Sequence, residues 1–418
     1  MSADFDALTA ALRDASRCCV RRPVGRFRHP WLAPMPPRDD APSGEDERFA
    51  IGDYAGGLFH HDVSESAIEN CRDPELAEAS FGSLLCFLDC AEPSGCIHRI
   101  ELPHRVRDPE PAKPVMAQLA LRAIDGVESG LARAEEHGVL PRLLAFVDYL
   151  ERTATGLHGL LLTHSARASG FDSDMLTAGL PERCVEGPDT NTFMVLEYRA
   201  LAELATRLEQ ATLADEMHAR ADALARRIDE LLWDERSQSY VALRWRHGAT
   251  RSEEIVGVKD PDGVHRPLQS WITLLPLLAQ IPSRERAAPL FARLLDASQY
   301  WGPAGVRTVP RDDPFFTQAP RVMVYDPRRG EPGPVSNWSG PVWVLASWYM
   351  FAALRAYGRT SEARELALRT ASTLANDLRT TNMLHECYAD DGTGLWPRRG
   401  TFVSWNVLAT TMLRDSAA

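Results

Sequence analysis

NTFMVLEYRALAELATRLEQ (residues 191–210) and LADEMHARADALARRIDELL (residues 213–232) stand two residues apart. Both are alanine-rich, and in both the apolar side chains return every three or four positions. That period belongs to amphipathic helices. A two-residue gap folds the second helix back along the first, so the unit is an antiparallel helix pair. The pattern continues outward in both directions. Residues 73–89 place Leu76, Ala79, Leu84, Leu85 and Leu88 on one stripe, and 114–124 open on Pro114, a residue suited to a first helical turn. Residues 140–150 carry Leu143, Leu144, Val147 and Leu150, and 268–278, 284–295, 341–357, 361–378 and 402–413 repeat the theme. Period counting gives about ten to twelve helices. Strand signals are few, the clearest being Ser239 to Leu243.

The helices come in pairs whose connections are alternately short and long. The long connections carry the Trp, Asp, Glu and Gly residues. Functional loops gathered at one face of a helical scaffold are what an all-α, (α/α)6 toroid offers. The expected organisation is a single catalytic domain over residues 49–418, preceded by an N-terminal helix and an irregular arm over 1–48. The arm is the Pro-, Arg- and Asp-rich stretch 21–47.

The bulk numbers narrow the function. Hydrophobic residues at 44% and charged residues at 25% suit a water-soluble fold with a large core. A net charge of −12 argues against nucleic acid or an anionic membrane as partner. The first fifteen residues lack the charged start and apolar run of a secretory signal, and no window is apolar enough to span a bilayer. Eight cysteines scattered without a disulfide framework read as reduced thiols, so the expected location is the cytoplasm. No Gly-rich phosphate loop, nucleophile elbow or dinucleotide fingerprint occurs, and no cofactor or metal is expected. The expected partner is a small carbohydrate or related polar metabolite; a homo-oligomer is compatible with the sequence.

Three stretches stand out in the long connections. They are Ala168-Ser169-Gly170-Phe171-Asp172-Ser173, Asn337-Trp338-Ser339-Gly340-Pro341-Val342-Trp343, and Leu384-His385-Glu386-Cys387-Tyr388 with the turn Asp390-Asp391-Gly392-Thr393-Gly394. Two carboxylates and an aromatic platform form the inventory for cleaving a glycosidic bond. One carboxyl protonates the leaving oxygen, and the other activates water or attacks the sugar.

These residues resemble the trehalase-like six-hairpin glycosidases, most closely glycoside hydrolase family 63 and its small bacterial mannosylglycerate and glucosylglycerate hydrolase members. The family's Ser-Gly-x-Asp-Asn-Ser motif is met by Ser169-Gly170-Phe171-Asp172-Ser173, and its Trp-Arg-Gly-Pro-Val-Trp motif by Trp338 to Trp343. Its C-terminal Glu-Tyr-Tyr and Phe-Ser-Trp elements are met by Glu386-Cys387-Tyr388 and Phe402-Val403-Ser404-Trp405. The echoes keep the family's order from about residue 50 to residue 413. Departures fall at sugar-contacting places. Arg167-Ala168 stand for Trp-Glu, Ser339 for the arginine, and His60-His61-Asp62 for an aromatic-Trp-Asp entry.

The resemblance implies an (α/α)6 toroid and an inverting mechanism with carboxyls roughly 6.5–9.5 Å apart. It makes Asp172 the general acid, in a partly desolvated pocket that raises its pKa, and Glu386 the base. Trp338 and Trp343 would supply flat faces to the glycone. Asp62, Gly170, Arg167, Gln269 and Trp405 would complete the substrate contacts. A small α-glucoside or α-mannoside, such as a glycosylglycerate or disaccharide, is the implied substrate, and a bell-shaped pH profile the implied behaviour.

Each assignment has a structural alternative. Asp172 could cap the helix beginning near Met175, with Asp174 competing for that place. Glu386 could pair with Arg398 or Arg399, and the tryptophans could be core. His60 to Asp62 could ligate a metal, as could Cys86, Cys90, Cys96 and His98, although adjacent histidines usually point apart. The altered pocket leaves two further readings open. One is a biosynthetic enzyme with different acid–base chemistry on the same toroid; the other is a catalytically silent carbohydrate-binding protein.

Overall fold

The computed structural model describes residues 3–37, 56–166, 168, 170–172, 174–178, 180–245, 253–259, 264–318, 322–326, 331–336, 338–396 and 401–417. Among them are twelve α-helices. In chain order these are α1 (Ala3–Arg17), α2 (His60–Asn70), α3 (Pro74–Cys90), α4 (Met116–Gly126), α5 (Gly130–Glu136), α6 (Val139–Ala154), α7 (Pro188–Arg207), α8 (Ala211–Leu231), α9 (Arg284–Leu294), α10 (Val344–Ala356), α11 (Thr360–Thr381) and α12 (Leu408–Ala417). Two 3-10 helices, Trp271–Leu277 and Ser404–Val407, join them. The first contains Pro276, which has no amide to donate, so an α-helical ladder does not run through it.

With the 3-10 helix Ser404–Val407 and the α12 that continues it counted as one, six elements close a ring. α2 packs on α4, α4 on α7, α7 on Trp271–Leu277, and that 3-10 helix on α10. α10 packs on Ser404–Val407 and α12, and both return to α2. The outer layer is α3, α6, α8, α9, α11 and α1. α8 lies along α7, α11 along α10 and α12, and α1 against α11, α3 and Ser404–Val407. Six inner and six outer helical elements make an (α/α)6 toroid, and α1 supplies the sixth outer element.

The two layers differ in sequence for a physical reason. An inner helix touches protein on all sides, so α10 is almost continuously apolar, with Val344, Leu345, Ala346, Tyr349, Met350, Phe351, Ala353 and Leu354 buried. An outer helix buries one stripe, as α11 does through Ala363, Leu366, Ala367, Thr370, Ala371, Leu374 and Asp377. α2 breaks the apolar rule. Its buried residues include His60, His61, Asp62, Ser64, Glu65 and Ser66. A helix buried with polar residues shows no hydrophobic period, which is why the sequence pattern passes over it.

Start signals behave as side-chain chemistry requires. Asp73 caps α3 by accepting from the amides of Glu75 and Leu76, with Pro74 in the first turn. α4 has no cap of its own; Glu197 of α7 accepts from Ala117 N at 2.6 Å and serves that end. The N-terminal arm runs over the toroid through the two-stranded pair Val20–Arg21 and Trp31–Leu32. Its Pro34 carbonyl accepts from the amides of Val403 (3.2 Å) and Ser404 (3.1 Å). Residues 38–48 of the expected arm, and 49–55 of the expected catalytic domain, lie outside the described residues.

Candidate active site

Aromatic rings from four separate loops and helices form a closed circuit at one end of the toroid. Phe171 meets Trp338 edge-on at 5.0 Å between centroids, and Trp338 lies on Trp343 at 3.7 Å and 11°. Trp343 meets Trp405 at 5.8 Å, Trp405 meets His61 at 6.1 Å, and His61 returns to Phe171 at 5.4 Å. Trp271 backs it, 4.7 Å from Phe171 and 5.7 Å from Trp338. The edge-on pairs suit the ring quadrupoles, whereas Trp338 and Trp343 lie nearly face to face, a contact held by packing. Trp338, Trp343 and Trp405 are all buried, so the rings are packed core as well as platform.

The Asp172 loop leaves this circuit at Phe171. Gly170 takes φ +75°, and a Cβ there would stand 2.9 Å from His61 Nδ1, so glycine lets the loop press onto the histidine. No helix is described near Met175; residues 175–178 form a turn, and Asp174, not Asp172, bonds it. Asp174 Oδ1 accepts from Leu176 N (3.0 Å), and Oδ2 accepts from Ser270 Oγ at 2.6 Å. Asp172 is thereby free of structural duty in its own loop. Its Oδ1 accepts instead from Arg99 Nη1 at 2.9 Å; the carboxylate side chain is 43% exposed and the guanidinium 6%. This departs from the desolvated acid the sequence suggests. The Arg99 guanidinium occupies Oδ1, so Oδ2 is the oxygen this pair leaves open.

Glu386 reaches the circuit from the other side. Val342 and Tyr388 exchange backbone hydrogen bonds, N to O at 2.8 and 2.9 Å, which sets the Glu386 strand beside the chain entering Trp343. Asn406 Nδ2 donates to His385 O at 2.8 Å, and Phe402 N to Leu384 O at 2.8 Å, which sets the same strand beside Trp405. The backbone at Glu386 is thus held between the segments that lead into Trp343 and Trp405, and the residue is 5% exposed. The hairpin beyond it is pinned by Arg307, which donates to both Asp390 oxygens at 2.7 and 2.9 Å. Gly340, at φ +138°, lets the Trp338 turn lie against Thr317, whose carbonyl a Cβ would meet at 2.3 Å.

Asp62 lies in the first turn of α2 and accepts from Ser404 Oγ at 2.7 Å. Burial raises its carboxyl pKa to about 7, against the Ser404 bond and the positive field of Arg99, and Asp172 raises it further. His61 Nε2 bonds the Tyr349 hydroxyl at 2.9 Å, and His60 Nδ1 donates to Arg99 O at 3.0 Å. Burial keeps both imidazoles neutral, His60 with a pKa lowered to about 3. Their bonded nitrogens point to different partners, so the pair does not converge on an ion.

The remaining expectations divide. Gln269 does not point its carbonyl at the circuit. Its Oε1 is taken up by Ser239 Oγ (3.3 Å) and by Arg293 of outer helix α9 (3.2 Å), which turn the group toward the outer layer. Its neighbour Ser270 is the residue that reaches the loop. Arg167 lies outside the described residues, as do Arg398 and Arg399. Near Cys96, Glu92 and His98 bring ligand atoms within 4.8 Å of one another. Both His98 nitrogens are already bonded, to Glu101 at 2.9 Å and Glu92 at 3.0 Å, and these bonds account for the group. Arg99 and Lys113 are site residues that sequence reasoning misses, and Asp174 enters it only as a rival cap. Their partners lie far along the chain, so no local spacing marks them.

Relatives share this architecture. Crystal structures of a GH63 mannosylglycerate hydrolase from Thermus thermophilus, one in complex with glucose and one with Tris and D-glycerate, superpose with a TM-score of 0.65. Each is 19% identical and covers 98% of this chain, with 99% and 100% of its own covered. Neutral trehalase Nth1 from Saccharomyces cerevisiae superposes with a TM-score of 0.60 at 14% identity, covering 93% of this chain and 74% of its own. At these identities the likeness establishes the fold. A mannosylglycerate hydrolase of Rubrobacter radiotolerans is 29% identical over 178 residues, 42% of this chain and 33% of the relative. A probable mannosyl-oligosaccharide glucosidase of Schizosaccharomyces pombe is 24% identical over 261 residues, 60% of this chain and 29% of the relative. The chain therefore spans about a third of the length of these two curated relatives. The family description "Mannosylglycerate hydrolase MGH1-like glycoside hydrolase domain" matches residues 100–405, and the chain belongs to that family.

Proposed function

We propose that the protein hydrolyses a small α-mannoside or α-glucoside with a short polar aglycone, a glycosylglycerate being the preferred type, with inversion at the anomeric carbon. The observation that supports this most is the aromatic circuit with one carboxylate-bearing segment at Phe171 and the other between Trp343 and Trp405. Asp172 donates the proton to the leaving oxygen. Glu386 takes the proton of the attacking water on the opposite face of the sugar. Trp338, Trp343 and Trp405 line the glycone side. Indole faces favour the positive charge that grows on the ring in the transition state. Asp62, held by Ser404, and the backbone at Gly170 contact sugar hydroxyls.

The substrate class draws on the relatives, several of which are mannosylglycerate hydrolases. Eight free cysteines suit a reducing compartment, so we place the protein in the cytoplasm. No helix among the described residues is long and apolar enough to cross a membrane. The test is proton NMR of the first product formed from an α-glycosylglycerate. A β-anomer appearing before mutarotation supports inversion. An α-anomer overturns it, and absence of sugar release from α-glycosides as a class overturns hydrolysis.

A further inference from the structure

Only two of the 46 basic residues in this chain are lysines, Lys113 and Lys259. Lys113 is buried, 3% exposed, at the turn that precedes α4. Its ammonium lies over the Phe171 ring at 3.5 Å from the centroid and over Phe193 at 4.3 Å. No described acceptor lies within hydrogen-bonding distance of Nζ. The same nitrogen would stand 3.6 Å from a Cβ at Gly170. The cation is therefore seated between two aromatic faces and against the backbone that leads into Asp172. Buried amines are costly unless compensated, and here two ring faces share that task with the facing carboxylates of Asp189, Glu65 and Asp174.

We propose that Lys113 is a positioning residue: its charged ammonium clamps the Phe171 ring and through it sets the direction of the Asp172 carboxyl. The proposal rests on the assignment of Asp172 as the acid. The groups facing Lys113 are His61 and Glu65 on α2, Arg99 on the strand His98–Leu102, Asp174 in the loop and Asp189 at the head of α7. Asp189, Glu65 and Asp174 favour the charged amine, Arg99 opposes it, and burial lowers its pKa to about 7. His61 stays neutral and adds no charge. The clamp thus weakens as pH rises above neutrality, because a neutral amine loses its attraction to the ring faces.

The test compares wild type with Lys113→Met, Phe171→Leu and the double variant on a glycoside that the wild type turns over. Lys113→Met is expected to lower kcat by about tenfold to thirtyfold with KM little changed, the scale of a desolvated cation–π contact. The double variant is expected to be no slower than the slower single one, since both changes break one clamp. Lys113→Met also strips the cation that faces Asp189, Glu65 and Asp174, so a lower melting temperature is expected, and kcat is read well below it on folded enzyme. A kcat within twofold of wild type, or losses that multiply in the double variant, would overturn the proposal. A second readout uses the native chain. On warming, the alkaline midpoint of kcat should move clearly to lower pH, as amine ionisation is endothermic; a midpoint that stays put, as for a carboxyl, counts against Lys113. Asp172→Asn assayed alongside separates the two ideas. If it is fully active the acid assignment fails; if it is dead while Lys113→Met is normal, only the clamp fails.

Discussion

The two carboxylate-bearing segments are mounted differently. The Glu386 strand is held by backbone pairs to two neighbouring segments, Tyr388 with Val342 and Leu384 with Phe402, and by the side chains of Asn406, Asp377 and Arg307. The Asp172 loop has a backbone bond only within itself, Asp174 N to Phe171 O at 2.9 Å, and its described ties to the rest of the fold are side chains. Asp174 grips Ser270, Lys113 lies over Phe171, and Arg99 takes Asp172 itself. Backbone pairing fixes an atom to within a fraction of an ångström. Side-chain contacts can yield and re-form. Under the proposed mechanism, the firmer mount would hold the base and its water, and the side-chain mount would carry the acid that meets the leaving oxygen.

The comparison can be broken at several points. The largest expected effect is on turnover. Glu386→Gln and Asp172→Asn should each lower kcat by roughly 10²–10⁴-fold, the scale of general acid or base catalysis. Steady-state kinetics on an α-glycosylglycerate checks it, and near-normal rates in either variant remove that residue from the chemistry.

Next comes the mount of the base. Arg307→Met removes the buried one of two arginines on half-buried Asp390 and leaves Arg311 at 3.2 Å, so denaturant unfolding should show a loss of about 1.5–3 kcal/mol, the scale of hydrogen bonds to a charged group. A loss below about 1 kcal/mol, the range of an exposed pair, would mean that the backbone pairs alone hold the hairpin.

A third test concerns Asp62. Its folded pKa is raised to about 7 from 3.8, so the folded state prefers the protonated form. The stability this gives is complete below pH 3.8 and is lost as pH rises toward 7. Asp62→Asn should therefore match wild-type melting temperature near pH 4, exceed it increasingly up to pH 7, and hold a constant excess above that. Substrate affinity should fall at the same time. A pH-independent difference would show that Asp62 does not titrate in this window.

Much of this was legible in the chain. Apolar period gave α7, α8 and α11 to within a few residues, because outer helices bury one stripe and their inner partners are long. The three motif-bearing loops were legible because Gly170, Gly340 and the 390–394 turn need special backbone. What stayed hidden has a common cause. α2 buries His60, His61, Asp62 and Glu65, so it carries no apolar period. Arg99 and Asp172 are 73 residues apart, and Lys113 meets Phe171 only through the closed ring of helices. Gln269 was misplaced because Ser239 and Arg293, distant in sequence, compete for its oxygen.

The most direct test of the acid and base assignments is the leaving-group dependence of the two variants. A dinitrophenyl α-glycoside departs without protonation, so it needs no acid. Asp172→Asn should recover most of the wild-type rate on that substrate, while Glu386→Gln should stay inactive on it. Equal recovery in both variants, or none in Asp172→Asn, would contradict the division of roles drawn from the two mounts.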